Sequence, residues 1–114
     1  MLSQEKIEEI RQKINTGDDR LSLIFSVLSD ARRLGMVRLF ANNRDICVTD
    51  VARIFTISLP AASRQLRILE MAGLLRKEKI GKILCYEIKK DDSIVNLIIP
   101  LISPPRIPRS LLRG

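Results

Sequence analysis

The stretch TDVARIFTISLPAASRQLRILEMAGLLRKEKIGKILCYEIK, Thr49 to Lys89, decides the fold. Thr49 and Asp50 open a short helix that reaches Phe55, and Thr56-Ile57 makes a tight turn. Ser58 caps a longer helix that runs to Met71 or Ala72. Pro60 falls at its second position, where a missing N–H is harmless. Gly73 closes the helix as a left-handed glycine. Leu74 to Lys79 and Ile83 to Lys89 then read as two strands joined through Ile80-Gly81-Lys82.

Short helix, tight turn, long helix and basic hairpin together make the layout of a winged helix-turn-helix. Helical angle tests the long helix, at about 100° per residue. Ala62, Leu66, Leu69 and Gly73 share one face and pack inward. Pro60, Ala61, Arg64 and Arg67 share the opposite face, with Ser63 on its flank. An outer face of small residues, Arg and hydroxyl suits a helix entering a major groove. Small side chains allow close approach, Ala meets a thymine methyl, and Arg takes guanine bidentately or binds phosphate. Ser58 and Ser63 can donate to phosphates beside the helix N-terminus, whose dipole also favours an anion.

Charge points the same way. The chain has 114 residues and a net charge of +7, with 20 Lys+Arg against 13 Asp+Glu. Residues 58 to 90 carry eight basic side chains (Arg64, Arg67, Arg76, Lys77, Lys79, Lys82, Lys89, Lys90) against Glu70, Glu78 and Glu87. Most of the excess therefore sits on the predicted recognition helix and hairpin, the footprint of a polyanion-binding face. On that reading Lys77, Lys79 and Lys82 of the wing grip phosphates of double-stranded DNA. A winged-helix protein-interaction module, its basic face incidental, is the alternative.

Around this block the chain reads as mainly α with a small β-hairpin wing and about six helices. Residues 3 to 15 form a helix capped by Ser3, with a narrow seam of Ile7, Ile10 and Ile14, ended by Gly17 and Asp18. Asp19 to Leu28 form a second, with Leu21, Ile24, Phe25 and Leu28 on one face. A third starts after Ser29 or Asp30 and runs to about Asn42, with Gly35 marking close approach by a neighbour. Ile46 to Val48 is a strand stub, its Ile46 and Val48 facing in and Cys47 out. Asp91-Asp92-Ser93 starts a last helix to about Leu101. Its Ile94, Leu97, Ile98 and Leu101 belong to a surface apolar nearly all round, more than one small core can cover. With the Ile7–Ile10–Ile14 seam it predicts a homodimer built from both chain ends. The expected organisation is a dimerisation helix over 1–17, the DNA-binding domain over 18–90, a second dimerisation helix over 91–102 and a flexible Pro/Arg tail over 103–114.

At this point the chain resembles the ArsR/SmtB-type winged-helix repressors. Leu28-Ser29-Asp30-Ala31-Arg32-Arg33-Leu34 is similar to that family's helix start. Ile46-Cys47-Val48-Thr49-Asp50-Val51-Ala52 is similar to its strand stub and first helix-turn-helix element. Ser63-Arg64-Gln65-Leu66 with Leu69, Ala72-Gly73-Leu74-Leu75 is similar to its recognition helix, and Tyr86-Glu87-Ile88 to the end of its second wing strand. The resemblance covers about residues 28 to 88. It implies a homodimeric repressor that binds an operator and releases it when an effector binds. Three positions depart from the family's pattern. Thr49 stands where metal sensors often have the second thiol of Cys-Val-Cys, Gln65 where His is usual, and Thr56 where the turn usually has Gly. One thiolate without a nearby His holds a soft metal poorly, so no metal site of the usual kind and no cofactor are expected. A β-branched residue at a left-handed position is strained by about 1–2 kcal/mol, so a turn of different shape is expected at Thr56.

Further classes drop out. There is no His, which removes His-based metal sites and general bases. No Gly-rich phosphate loop or nucleophile–base pair is present, so an enzyme is not expected. The longest apolar stretch, Ile94 to Ile102, is interrupted by Asn96 and Pro100 and falls short of the roughly 20 residues of a membrane span. The charged N-terminus is unlike a signal peptide, and the reading is a reduced cytoplasmic protein. Leu84, Tyr86 and Ile88 should face the core, leaving Cys85 on the other side of its strand. If the stub pairs with the second wing strand, Cys47 and Cys85 share one sheet face. The preferred reading is two small residues kept as thiols.

Overall fold

Nine elements follow one another as α1 (Gln4–Asn15), α2 (Asp19–Leu28), α3 (Ala31–Asn42), β1 (Ile46–Cys47), α4 (Val48–Phe55), α5 (Leu59–Met71), β2 (Leu75–Ile80), β3 (Ile83–Ile88) and α6 (Ser93–Ile102). The computed structural model describes residues 1–15 and 19–103. The predicted stop at Gly17-Asp18 and the tail beyond Ser103 lie outside the described residues.

Local chemistry sets the boundaries. Ser3 Oγ accepts from the Lys6 N–H at the head of α1. Asp30 caps α3 by accepting from the Arg33 N–H at 2.9 Å. Ser58 caps α5 by accepting from the Ala61 N–H at 3.2 Å, with Pro60 in the first turn. Asp92 caps α6 by accepting from the Ile94 and Val95 N–H groups. Gly73, at φ +79°, ends α5, and a Cβ there would collide with the Arg20 guanidinium. At Gly35 a Cβ would stand 3.3 Å from the Phe55 ring, so the glycine lets α3 and α4 pack closely.

The three strands form one antiparallel sheet in the order β1-β3-β2. In the wing, Leu75 pairs with Ile88 and Ile80 with Ile83. The stub joins by pairing Ile46 with Tyr86 and Cys47 with Cys85. Helices α2 to α6 and the sheet enclose one core, which includes Ile24, Met36, Val37, Phe40, Val51, Leu66, Leu69, Leu74, Tyr86 and Val95.

Several sequence expectations are corrected here. In α2, Val27 is buried with Ile24 and Leu28, while Leu21 and Phe25 are exposed. Val48 opens α4 instead of extending the stub, although it is buried as expected. Thr56 takes the left-handed conformation, at φ 53° and ψ 51°, so the turn accepts the strained backbone that the β-branched side chain is expected to avoid. Ile98 is 6% exposed because it packs with Val95 onto the protomer's own core. The exposed large apolar residues of α6, Leu97 and Leu101, are 77% and 75% exposed.

The cysteines need the largest correction. They are joined as a Cys47–Cys85 disulfide, not two separate thiols. Alternation does turn Cys85 away from Tyr86, but β3 is the middle strand. With β1 alongside and Cys47 bonded to it, Cys85 is only 1% exposed.

Candidate nucleic-acid interface

Helix α5 presents the two faces its sequence predicts. Ala62, Leu66 and Leu69 are fully buried, while Pro60, Ser63, Arg64 and Arg67 are exposed and Ala61 is half-buried. Capping occupies the Ser58 oxygen, which leaves its hydroxyl hydrogen to donate. At the start of α5, the Arg53 side chain of α4 borders the same surface depression as Thr56, Ile57 and Ser58. Sequence reasoning missed Arg53, because it belongs to the electrically balanced first half of the chain. Its spacing from Ser58 across the turn was the available signal.

On the wing, Lys77, Lys79 and Lys82 are all exposed. They differ in what they touch. Lys77 Nζ lies 3.7 Å from Glu70 Oε1, which ties the wing to α5 and offsets part of the Lys77 charge. Arg76 is spent in the same way, donating to Asp91 at 2.8 Å and approaching Glu87. That bond holds the Asp91 carboxyl below its usual range. Arg64, Arg67, Lys79, Lys82 and Arg53 have no side-chain ion pair among the described residues. Arg32, Arg44, Lys89 and Lys90 likewise show none among the described residues, so what distinguishes these five is their place on α4, α5 and the wing.

The scaffold behind them is tied by buried and half-buried contacts. Arg33 donates to the Val27 carbonyl at 2.8 Å and to Gln65 Oε1 at 3.3 Å, which connects α2, α3 and α5. Gln65, at the position usually His in the resembled family, thus serves as an acceptor in the scaffold. Burial pushes the Tyr86 phenol up, the Glu70 charge adds to that, and Arg67 opposes it.

The residues do not fit a soft-metal site of the resembled kind. The second thiol position is Thr49, and Cys47 is bonded to Cys85. Among the described residues, no three His, Cys, Asp or Glu side chains come together as a metal-ligand group.

The predicted dimer residues fall on two surfaces. Ile7 and Ile10 are half-buried along α1, and Ile14 is 71% exposed. With Leu2 and the stem of Arg11 they line a shallow apolar groove. On α6, Ile94 is half-buried and Leu97 and Leu101 are exposed. No described helix is long and apolar enough to cross a membrane.

Comparison with known proteins agrees with this geometry. The family model described as "Bacterial regulatory protein, arsR family" matches residues 30–77, from the α3 cap into the wing. The cadmium resistance transcriptional regulatory protein CadC of Listeria innocua is 31% identical over 98 residues, covering 85% of this chain and 82% of that protein. A transcriptional repressor SmtB homolog of Synechocystis is 28% identical over 95 residues, covering 82% of this chain and 70% of that one. In fold, the chain is similar to the homodimeric winged helix-turn-helix DNA-binding domain of Mb0332 from Mycobacterium bovis. There the TM-score is 0.65 at 22% identity, over 90% of this chain and 84% of that one.

Proposed function

The chain belongs to the ArsR family of bacterial transcriptional regulators, and from that premise we propose that it is a homodimeric repressor that reads one operator through α5 and β2–β3. The observation that carries this is the division among the cations. Arg76 and Lys77 pair within the fold, while Arg64, Arg67, Lys79 and Lys82 are exposed on the recognition helix and wing with no side-chain ion pair among the described residues.

Each residue has a role under this reading. Pro60 and Ala61 let the head of α5 approach base edges, and Arg64 reaches a guanine. Ser58, Ser63 and Arg67 hold the flanking backbone, joined by Arg53 across the turn. Lys79 and Lys82 grip phosphate beyond the groove, with Lys77 a weaker contributor because of Glu70. Ile7, Ile10 and Ile14 of α1 and Ile94, Leu97 and Leu101 of α6 meet a second copy. A two-fold axis then sets the two α5 helices about 34 Å apart, one turn of B-DNA. The protein works without the metal site common in its family and without enzymatic activity, in the cytoplasm.

The test is selection from a pool of random DNA duplexes, followed by affinity measurement at two salt concentrations. A two-fold-symmetric site bound at least about 10³-fold more tightly than random DNA supports the reading. Equal, weak binding to all sequences at both salts refutes it in favour of a protein-interaction module.

A further inference from the structure

Cys47 is the residue on which α4 begins, and Cys85 lies in the central strand of the wing. The disulfide joins them directly across the ladder. Beside it, the stub meets the wing through a ladder only two residues long and through core packing of Ile46 and Val48. Cys47 is half-buried and reachable by a small molecule, whereas Cys85 is enclosed. We propose that Cys47 and Cys85 form a reversible thiol-oxidation site whose state sets the protein's affinity for DNA. The proposal rests on the DNA-binding reading above and adds to it the chemical class of the signal, a low-molecular-weight disulfide.

The chemistry balances as two exchanges. The Cys47 thiolate attacks one sulfur of the small disulfide, forming a mixed disulfide and expelling a thiolate. The Cys85 thiolate then attacks Cys47 Sγ, closing the protein disulfide and expelling the second thiolate. The two leaving thiolates take up the two protons that the cysteines release. Two protein thiols are oxidised and one small disulfide is reduced to two thiols. Excess small thiol reverses both steps.

The effect on DNA follows from where the bond lies. Gripping an operator requires the recognition helix and the wing to hold one relative placement. The disulfide fixes the wing to the start of the helix-turn-helix before DNA arrives, so less freedom is lost on binding. Fixing such an element beforehand is worth about tenfold in affinity.

The experiment uses the full chain, prepared oxidised and reduced, each state verified by thiol counting and mass. A pool-selected duplex, obtained with both forms in parallel, is titrated against each. Expected is about tenfold tighter binding by the oxidised form, reversed by dithiothreitol. Cys47→Ser should stay at the reduced value under both conditions, and Cys85→Ala provides a second check in case one variant folds poorly. Equal affinities of the two forms, or a tighter reduced form, overturn the proposal. Amide exchange of the free protein separates this failure from failure of the DNA reading. If neither form binds any duplex, that reading falls on its own. The redox site then stands only if a glutathione series titrates it reversibly and oxidation slows exchange in β1 and β3; otherwise it falls too.

Discussion

Arg20 Nη1 lies 2.6 Å from Asp92 Oδ2, and the same guanidinium donates to the Gly73 carbonyl at 3.0 Å. One side chain of α2 thus holds the end of α5 and the start of α6. Asp92 is at once the Arg20 partner and the cap of α6. The first of these bonds keeps its carboxyl below the ordinary carboxylate range.

Asp92→Ala should therefore cost about 2 kcal/mol, combining a lost cap with a lost charge-assisted bond. Urea unfolding at neutral pH measures it. The sign of the pH dependence follows from the lowered carboxyl. Its stabilisation is fully present above the unfolded-state value near pH 4 and is lost as pH falls below that through the folded-state value. The gap between wild type and variant should narrow as pH falls below about 4, and a gap that widens on acidification would contradict the assignment.

Thr56 offers a change in the other direction. Its left-handed backbone costs a β-branched residue about 1–2 kcal/mol, and glycine removes that cost while adding unfolded-state entropy. Thr56→Gly should raise stability by roughly 0.5–1 kcal/mol with operator affinity unchanged. A lower unfolding midpoint would show that the threonine makes a compensating interaction.

The recognition helix and wing should separate by salt response. Lys79→Ala or Lys82→Ala should weaken binding to all DNA alike and flatten the salt slope by about one unit per lost contact. Arg64→Ala should cost about 1–3 kcal/mol on the operator and little on random DNA. Equal losses on both DNAs would make Arg64 a phosphate clamp.

The dimer depends on apolar contact at both chain ends. Leu97→Glu, at a residue 77% exposed in the protomer, should give a folded monomer by light scattering, with operator affinity reduced more than tenfold. A stable dimer in this variant would move the interface away from α6.

The helix-turn-helix is legible in the chain because its boundaries are chemical. Ser58, Pro60 and Gly73 each act within one turn of backbone, and each sits where its chemistry predicts. What fails is orientation where apolar residues are in surplus. Leu21, Leu23, Ile24, Phe25, Val27 and Leu28 leave α2 no clear stripe, so only tertiary packing selects Ile24, Val27 and Leu28. In α6 the same surplus hides which side meets the core, and Ile98 turns inward. Cys85 fails for another reason. The register that sets Cys47 opposite Cys85 is open to sequence reasoning, but strand alternation does not say whether two facing thiols are joined.

Cys47 and Cys85 are 38 positions apart, and the chain between them contains all of α4, α5 and β2. Once oxidised, the DNA-reading elements belong to a closed covalent ring. By loop-closure entropy such a ring is worth on the order of 4 kcal/mol against the unfolded chain. It also changes how the protein is dismantled. A protease cut between Phe55 and Leu59 leaves the oxidised chain as one particle, its halves tied through sulfur. The same cut in the reduced chain leaves the half carrying the recognition helix held by non-covalent packing alone. Redox state thus sets whether the halves of a nicked chain are tied covalently or by packing alone.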